Sequence, residues 1–139
     1  MKIPDDVIEF IEEKKIGKFG TIGYLAIIYD EEGIQKPLVS PRHIRLYENK
    51  WLIFDDRFSK YLKKNLIKNN HVSVIFVEAI KDTLGYQLLG EAEYLEHGDL
   101  FDEAQQNMRG LNIPVELKGV VKIRVKKIWT LSLGELSPA

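Results

Sequence analysis

Between Lys36 and Leu66 the pattern of the chain changes several times within one short stretch, KPLVSPRHIRLYENKWLIFDDRFSKYLKKNL. Pro37 to Tyr47 reads as a strand and Glu48-Asn49-Lys50 as a tight turn. Trp51-Leu52-Ile53-Phe54 is an apolar run of aromatic and branched residues, the pattern of a strand covered on both faces. It stops at Asp55-Asp56, where the helix-spaced set Phe58, Leu62 and Leu66 takes over. Polar side chains collect at this switch: Ser40, Arg42, Asp55, Arg57, Ser59 and Lys60. A helix start offers unpaired N–H groups and a partial positive charge, so the switch is the natural place for a phosphate.

The rest of the chain is built from similar short pieces. Pro4-Asp5-Asp6 opens a helix with Val7, Ile8 and Ile11 as its apolar stripe, ended by Gly17. Phe19 to Tyr29 is a strand, with Asp30-Glu31-Glu32-Gly33 as a hairpin turn. A helix over residues 58–68 is followed by strands over His71–Val77 and Gly85–Glu96. Gly98-Asp99 begins a further helix that ends at Gly110, and Leu111 to Lys118 forms a loop. Val120 to Leu131 alternates cleanly, with Val121, Ile123 and Val125 on one face and Lys122, Arg124 and Lys126 on the other. About six strands and three short helices result. Short turns favour antiparallel pairing, and so many strands in so short a chain imply a closed or nearly closed barrel.

At 139 residues with 45% hydrophobic and 29% charged side chains, the chain reads as a single soluble domain over residues 1–139. A net charge of −1 argues against a dedicated nucleic-acid binder. The absence of cysteine excludes disulfides, thiolate metal sites and cysteine nucleophiles. No stretch approaches the roughly 18 apolar residues of a membrane span, and the N-terminus has no signal-peptide core, so a cytoplasmic protein is expected. GxGxxG, P-loop, GxSxG and HExxH motifs are all missing.

Three phrases carry a resemblance to a known family. They are Leu38-Val39-Ser40-Pro41-Arg42; Leu52 to Lys60 followed by Asn65-Leu66 and His71-Val72-Ser73-Val74; and Gly85 to Glu93. In this order they resemble the pyridoxamine 5′-phosphate oxidase-like FMN-binding split barrels, in particular their small flavin-nucleotide-binding branch. The resemblance implies a mainly β fold: a six-stranded antiparallel split β-barrel flanked by about three helices. It also implies a homodimer holding FMN in grooves between subunits. Val39, Ser40, Pro41 and Arg42 would line the flavin ring, with backbone contacts from Phe54, Asp55 and Asp56. Arg57, Ser59, Lys60, Tyr61 and Asn65 complete the implied cofactor set, with Arg42, Ser59 and Lys60 on the phosphate. One departure stands out: many members carry Lys-Thr where this chain has Tyr61-Leu62, and its lysine sits one residue earlier.

Each candidate also has a plainer role. Arg42 either grips a phosphate or pairs with Asp55, Asp56 or a glutamate. Ser59 and Lys60 either bind the phosphate or begin a solvated helix whose basic face continues through Lys63, Lys64 and Lys68. Asp55 and Asp56 point to opposite faces of a strand, so they make no acid/base pair and are better placed to cap the helix. His43, His71 and His97 lack metal-ligand spacing. Trp51 and Trp129 serve core or interface packing, or Trp129 reaches a flavin edge across the dimer. An FMN-dependent oxidoreductase of unknown substrate is the leading expectation. A non-catalytic carrier or sensor of flavin, haem or deazaflavin is the alternative, and an interaction domain without ligand the third. Oxidation of pyridoxamine 5′-phosphate itself is not expected, because the arginine- and histidine-bearing tail of the true oxidases is missing.

Overall fold

The structure, a computed structural model, describes residues 2–14, 21–27, 36–39, 44–57, 60–78, 84–110, 116–132 and 135–138. Three helices and eight strands lie among them: α1 (Asp5–Lys14), β1 (Thr21–Ile27), β2 (Lys36–Val39), β3 (Ile44–Tyr47), β4 (Trp51–Asp56), α2 (Leu62–Lys68), β5 (His71–Glu78), β6 (Leu84–Leu95), α3 (Asp99–Gly110), β7 (Gly119–Ser132) and β8 (Glu135–Pro138). All pairings are antiparallel. The sheet follows the path β2-β1-β5-β6-β7-β4-β3, with β8 added on β7.

This corrects the expected six strands to eight. Pro37–Tyr47 is not one strand, because its two halves pair with different neighbours: Val39 lies opposite Leu25 of β1, and Ile44 opposite Phe54 of β4. Flat, the path would hold β2 and β3 roughly 29 Å apart, six spacings of ~4.8 Å. The link from Val39 to Ile44 reaches at most ~18 Å. The sheet must therefore curl. No ladder joins β2 to β3 among the described residues, so the curl is an open barrel rather than a closed one.

Alternation decides what the curl encloses. Leu52 and Phe54 of β4, Val72, Val74 and Phe76 of β5, Tyr86 and Leu88 of β6, and Val121, Ile123 and Val125 of β7 form one buried cluster. Helix α1 adds Val7, Phe10 and Ile11 to it, and the Phe10 ring meets Tyr86 edge-on at 5.2 Å. Helix α3 covers the opposite face, where Ala104, Leu100 and Phe101 pack around Ile53, Leu95, Leu117 and Val120. In β7 the pairing passes from Val125↔Gly90 to Lys127↔Leu89, leaving Lys126 as an extra, bulged residue. Inward positions are odd before the bulge and even after it, which is why Ile128 is also buried.

The β3–β4 turn is as tight as its sequence implies, with Lys50 N–H donating to the Tyr47 carbonyl at 3.2 Å. Both central residues, Glu48 and Asn49, sit at φ +53°, the left-handed conformation of a type I′ turn. Asn adopts this region far more readily than Glu. Replacing Glu48-Asn49 by Asn-Gly is expected to raise stability by about 1 kcal/mol, read as a Tm higher by a few degrees. An unchanged Tm would mean that the turn carries no strain.

Helix α2 begins later than the pattern of Phe58, Leu62 and Leu66 implies. Strand β4 continues through both aspartates, since Asp55 pairs with Val120 and Asp56 with Gly119. The residue ahead of the helix is Tyr61 (φ −124°, ψ 3°), and no side chain caps it. The capping role expected of Asp55 and Asp56 is therefore overturned: both belong to the strand.

Candidate cofactor site

Of the residues expected at the site, Ser40, Pro41, Arg42 and Ser59 lie outside the described residues, as does His43. Val39 ends β2 opposite Leu25. Phe54, Asp55, Asp56, Arg57, Lys60, Tyr61 and Asn65 can be followed individually.

Phe54 is a core residue, 2% exposed. Its backbone runs between two partners, Ile44 and Val121, so the residue lies inside the sheet with strands on both sides. The two aspartates diverge, as neighbours on a strand must. Asp55 turns outward and receives Arg45 Nη1 on both carboxylate oxygens, at 3.2 and 3.4 Å. The sequence pattern offered Arg42 as a partner of Asp55 only as one alternative to phosphate binding, and did not single out Arg45. The hairpin register could have found Arg45, because it sets that residue opposite Ile53 and diagonal to Asp55. The second terminal nitrogen, Nη2, is buried and has no hydrogen-bond partner among the described residues.

Asp56 turns inward and is 5% exposed. Its carboxylate accepts a hydrogen bond from the Tyr94 hydroxyl at 2.6 Å, and its carbonyl accepts one from Lys118 N–H at 2.9 Å. Burial, and then the neighbouring Asp56 carboxylate, push the Tyr94 phenol well above the ordinary tyrosine range, so it remains a donor. Beside this pair opens a cleft of about 350 Å³. One wall is Asp56, Tyr94, Glu96 and Lys118; the other is Lys60, Leu62 and Lys63 at the start of α2. The Lys63 ammonium lies 2.6 Å from Glu96 Oε1 across the cleft.

Lys60 is exposed, with its ammonium 5.4 Å from the ring centre of Tyr61, which is itself 57% exposed. Asn65 is half-buried in α2, its backbone N–H bonded to the Tyr61 carbonyl. Arg57 is half-buried just beyond β4. The structure thus brings Asp56 and Lys60 to one cleft and sends Phe54 and Asp55 elsewhere. Tyr94, Glu96, Lys63 and Lys118 complete the cleft and were missed from sequence. Tyr94 and Lys118 are remote in the chain, while Lys63 looked like part of a solvated face.

The tryptophans are not core residues. Each is half-buried beneath a lysine: Lys122 Nζ lies 4.0 Å from the Trp51 ring centre, and Lys127 Nζ 4.5 Å from that of Trp129. Among the described residues no group of three or more His, Asp or Glu is arranged to hold a metal. None of their helices is long and apolar enough to cross a membrane.

No family model matches the sequence, and neither does any curated protein. Solved structures do match. HupZ from Group A Streptococcus is 23% identical with a TM-score of 0.74, over 97% of this chain and 98% of its own. A protein from Clostridium acetobutylicum related to general stress protein 26, of the pyridoxinephosphate oxidase family, is 17% identical with a TM-score of 0.68, over 94% and 89%. An FMN-binding protein from Syntrophomonas wolfei is 15% identical with a TM-score of 0.68, over 92% and 86%. A haem-binding protein from Mycobacterium smegmatis matches at 16% identity and a TM-score of 0.59, the whole of this chain covering 59% of it. The chain has the fold of the pyridoxamine 5′-phosphate oxidase-like and FMN-binding proteins.

Proposed function

We propose that the protein binds FMN in a groove between two copies of itself and serves as a flavin-dependent oxidoreductase. The observation that carries the reading is the exposed Lys60 at the mouth of a polar cleft, at the strand-to-helix switch of a fold shared with an FMN-binding protein. The residues fit a phosphate there. Lys60 offers an exposed ammonium, while both nearby aspartates are engaged, Asp55 by Arg45 and Asp56 by Tyr94. Arg45 thus offsets the Asp55 charge, while Asp56 keeps its charge but is buried and bonded to the Tyr94 phenol, which leaves the lysines as the groups that would face a dianion. The exposed Tyr61 ring supplies an aromatic surface beside it. Val39, Ser40, Pro41 and Arg42 take the ring side of the groove, and Ser59 joins Lys60 on the phosphate. Phe54 contributes to the core and not to the groove. When bound, FMN supplies hydride and single-electron transfer, while the chain's own residues bind and orient it.

The purified protein is expected to retain FMN through desalting, with a visible spectrum shifted from that of the free cofactor. Lys60→Ala is expected to weaken FMN about tenfold, the loss of one charge-assisted contact, and to leave riboflavin binding unchanged. Light scattering is expected to give twice the 16.1 kDa chain mass. A colourless protein that releases all added FMN would sink the reading. Haem binding is the second reading, favoured by the match to the mycobacterial haem-binding protein. A Soret band in place of flavin absorbance would select it. Oxidation of a reduced nicotinamide by the flavin-loaded protein separates an enzyme from a carrier.

A further inference from the structure

We propose that Tyr94 is a positioning residue for the cleft, holding the end of β4 so that Lys60 meets the flavin phosphate; the inference rests on the flavin reading above. Asp56, the last residue of β4, pairs with Gly119 of β7, and its contacts include two further hydrogen bonds. The Tyr94 hydroxyl donates to its carboxylate at 2.6 Å, and Lys118 N–H donates to its carbonyl at 2.9 Å. The opposite wall is tied to the same end of β6, through Lys63 and Glu96 at 2.6 Å. The last turn of chain in β6 and the residue just past it therefore hold both sides of the cleft.

The two ties are not equal. Lys63 and Glu96 are 51% and 48% exposed, so water and salt screen their attraction. Asp56 is buried and Tyr94 half-buried, and a hydroxyl bonded to a carboxylate at that distance is short and charge-assisted. Of the two side-chain ties, the one from Tyr94 to the β4 wall is thus the stronger, and it adds to the backbone pairing of Asp56 with Gly119. The neighbouring strand makes room for it: a Cβ at Gly119 would run into the Tyr94 ring and hydroxyl. Glycine at this position lets the phenol lie flat against β7 and reach Asp56.

Tyr94→Phe keeps the ring and removes only the donor. In the ligand-free protein, amide hydrogen exchange in peptides spanning residues 54–63 is expected to quicken about tenfold, while β5 exchanges as in wild type. The dissociation constant for FMN is expected to rise about tenfold, and that for riboflavin, which has no phosphate, to stay unchanged. Gly119→Ala, which displaces the ring, is expected to reproduce both effects. Wild-type exchange over residues 54–63 in Tyr94→Phe would overturn the assignment, and so would equal weakening of FMN and riboflavin. If wild-type protein binds neither flavin, the flavin reading fails, and the exchange data alone decide whether Tyr94 holds the wall.

Discussion

Phe54→Ala is expected to cost about 3–5 kcal/mol of stability, and to leave the FMN affinity of the folded protein untouched. The ring is 2% exposed and belongs to the main buried cluster, beside Leu52, Val121 and Ile123 of the same sheet face. Truncation removes its apolar contacts and leaves a cavity that rigid neighbouring strands cannot collapse to fill. For a chain of this size the Tm should fall by roughly 10–20 °C. The backbone at Phe54 stays paired on both sides, so the path of β4 towards Asp56 is preserved. Unfolding in denaturant together with flavin titration decides the matter. A stable variant with impaired flavin binding would mean that the Phe54 ring faces the cofactor and that the inner face of the sheet is a binding chamber.

Gly90→Ala is expected to be at least as damaging, about 3 kcal/mol or more, and for a reason independent of burial. Gly90 lies where the β7 bulge brings the partner backbone closest. A Cβ there would collide with the carbonyl oxygen of Arg124 and press on Ile123 Cγ2 at 3.2 Å. A side chain can rotate away from such a clash, whereas a backbone carbonyl in a ladder cannot. The strands would have to part, weakening the pairing between β6 and β7. Gly110→Ala is the control, because a Cβ at that helix end meets nothing within 4 Å. Its stability should match or slightly exceed that of wild type. Equal Tm values for the two variants would mean that the bulge relaxes freely.

The elements that were legible in the sequence share one property: a single covered face. Val121, Ile123 and Val125 alternate with Lys122, Arg124 and Lys126 because one side of β7 is core, and all three apolar residues are buried. Helix α3 was legible at both ends, from Asp99 in its first turn to Gly110 at its last residue. Where the pattern misled, the deciding contact was distant. Pro41 marks a break within Lys36–Tyr47, but which strands the two halves pair with leaves no local trace. Strand β8 is short, ends on a proline and has little β-branched character, so it shows only as an addition to β7.

The site divides in the same way. That Asp55 and Asp56 face apart follows from strand geometry alone, and both turn out engaged on opposite sides of β4. The register of a tight hairpin makes Arg45 readable as the partner of Asp55. Tyr94 is separated from Asp56 by 38 residues, and only the fold brings them together. Lys118 likewise reaches the cleft because β7 pairs with the distant β4, which sets its neighbour Gly119 opposite Asp56.

The place of β7 in the strand order has a consequence for synthesis. Strands β2, β1, β5 and β6 form one block, β3 and β4 another, and β7 is the strand that pairs with both. A ribosome has made every other paired strand except β8 before Gly119 emerges. Until then β6 and β4 each carry a naked edge, able to dock onto a neighbouring nascent chain as readily as onto β7. Residues 119–132 therefore end a window of vulnerability that opens once β6 is complete.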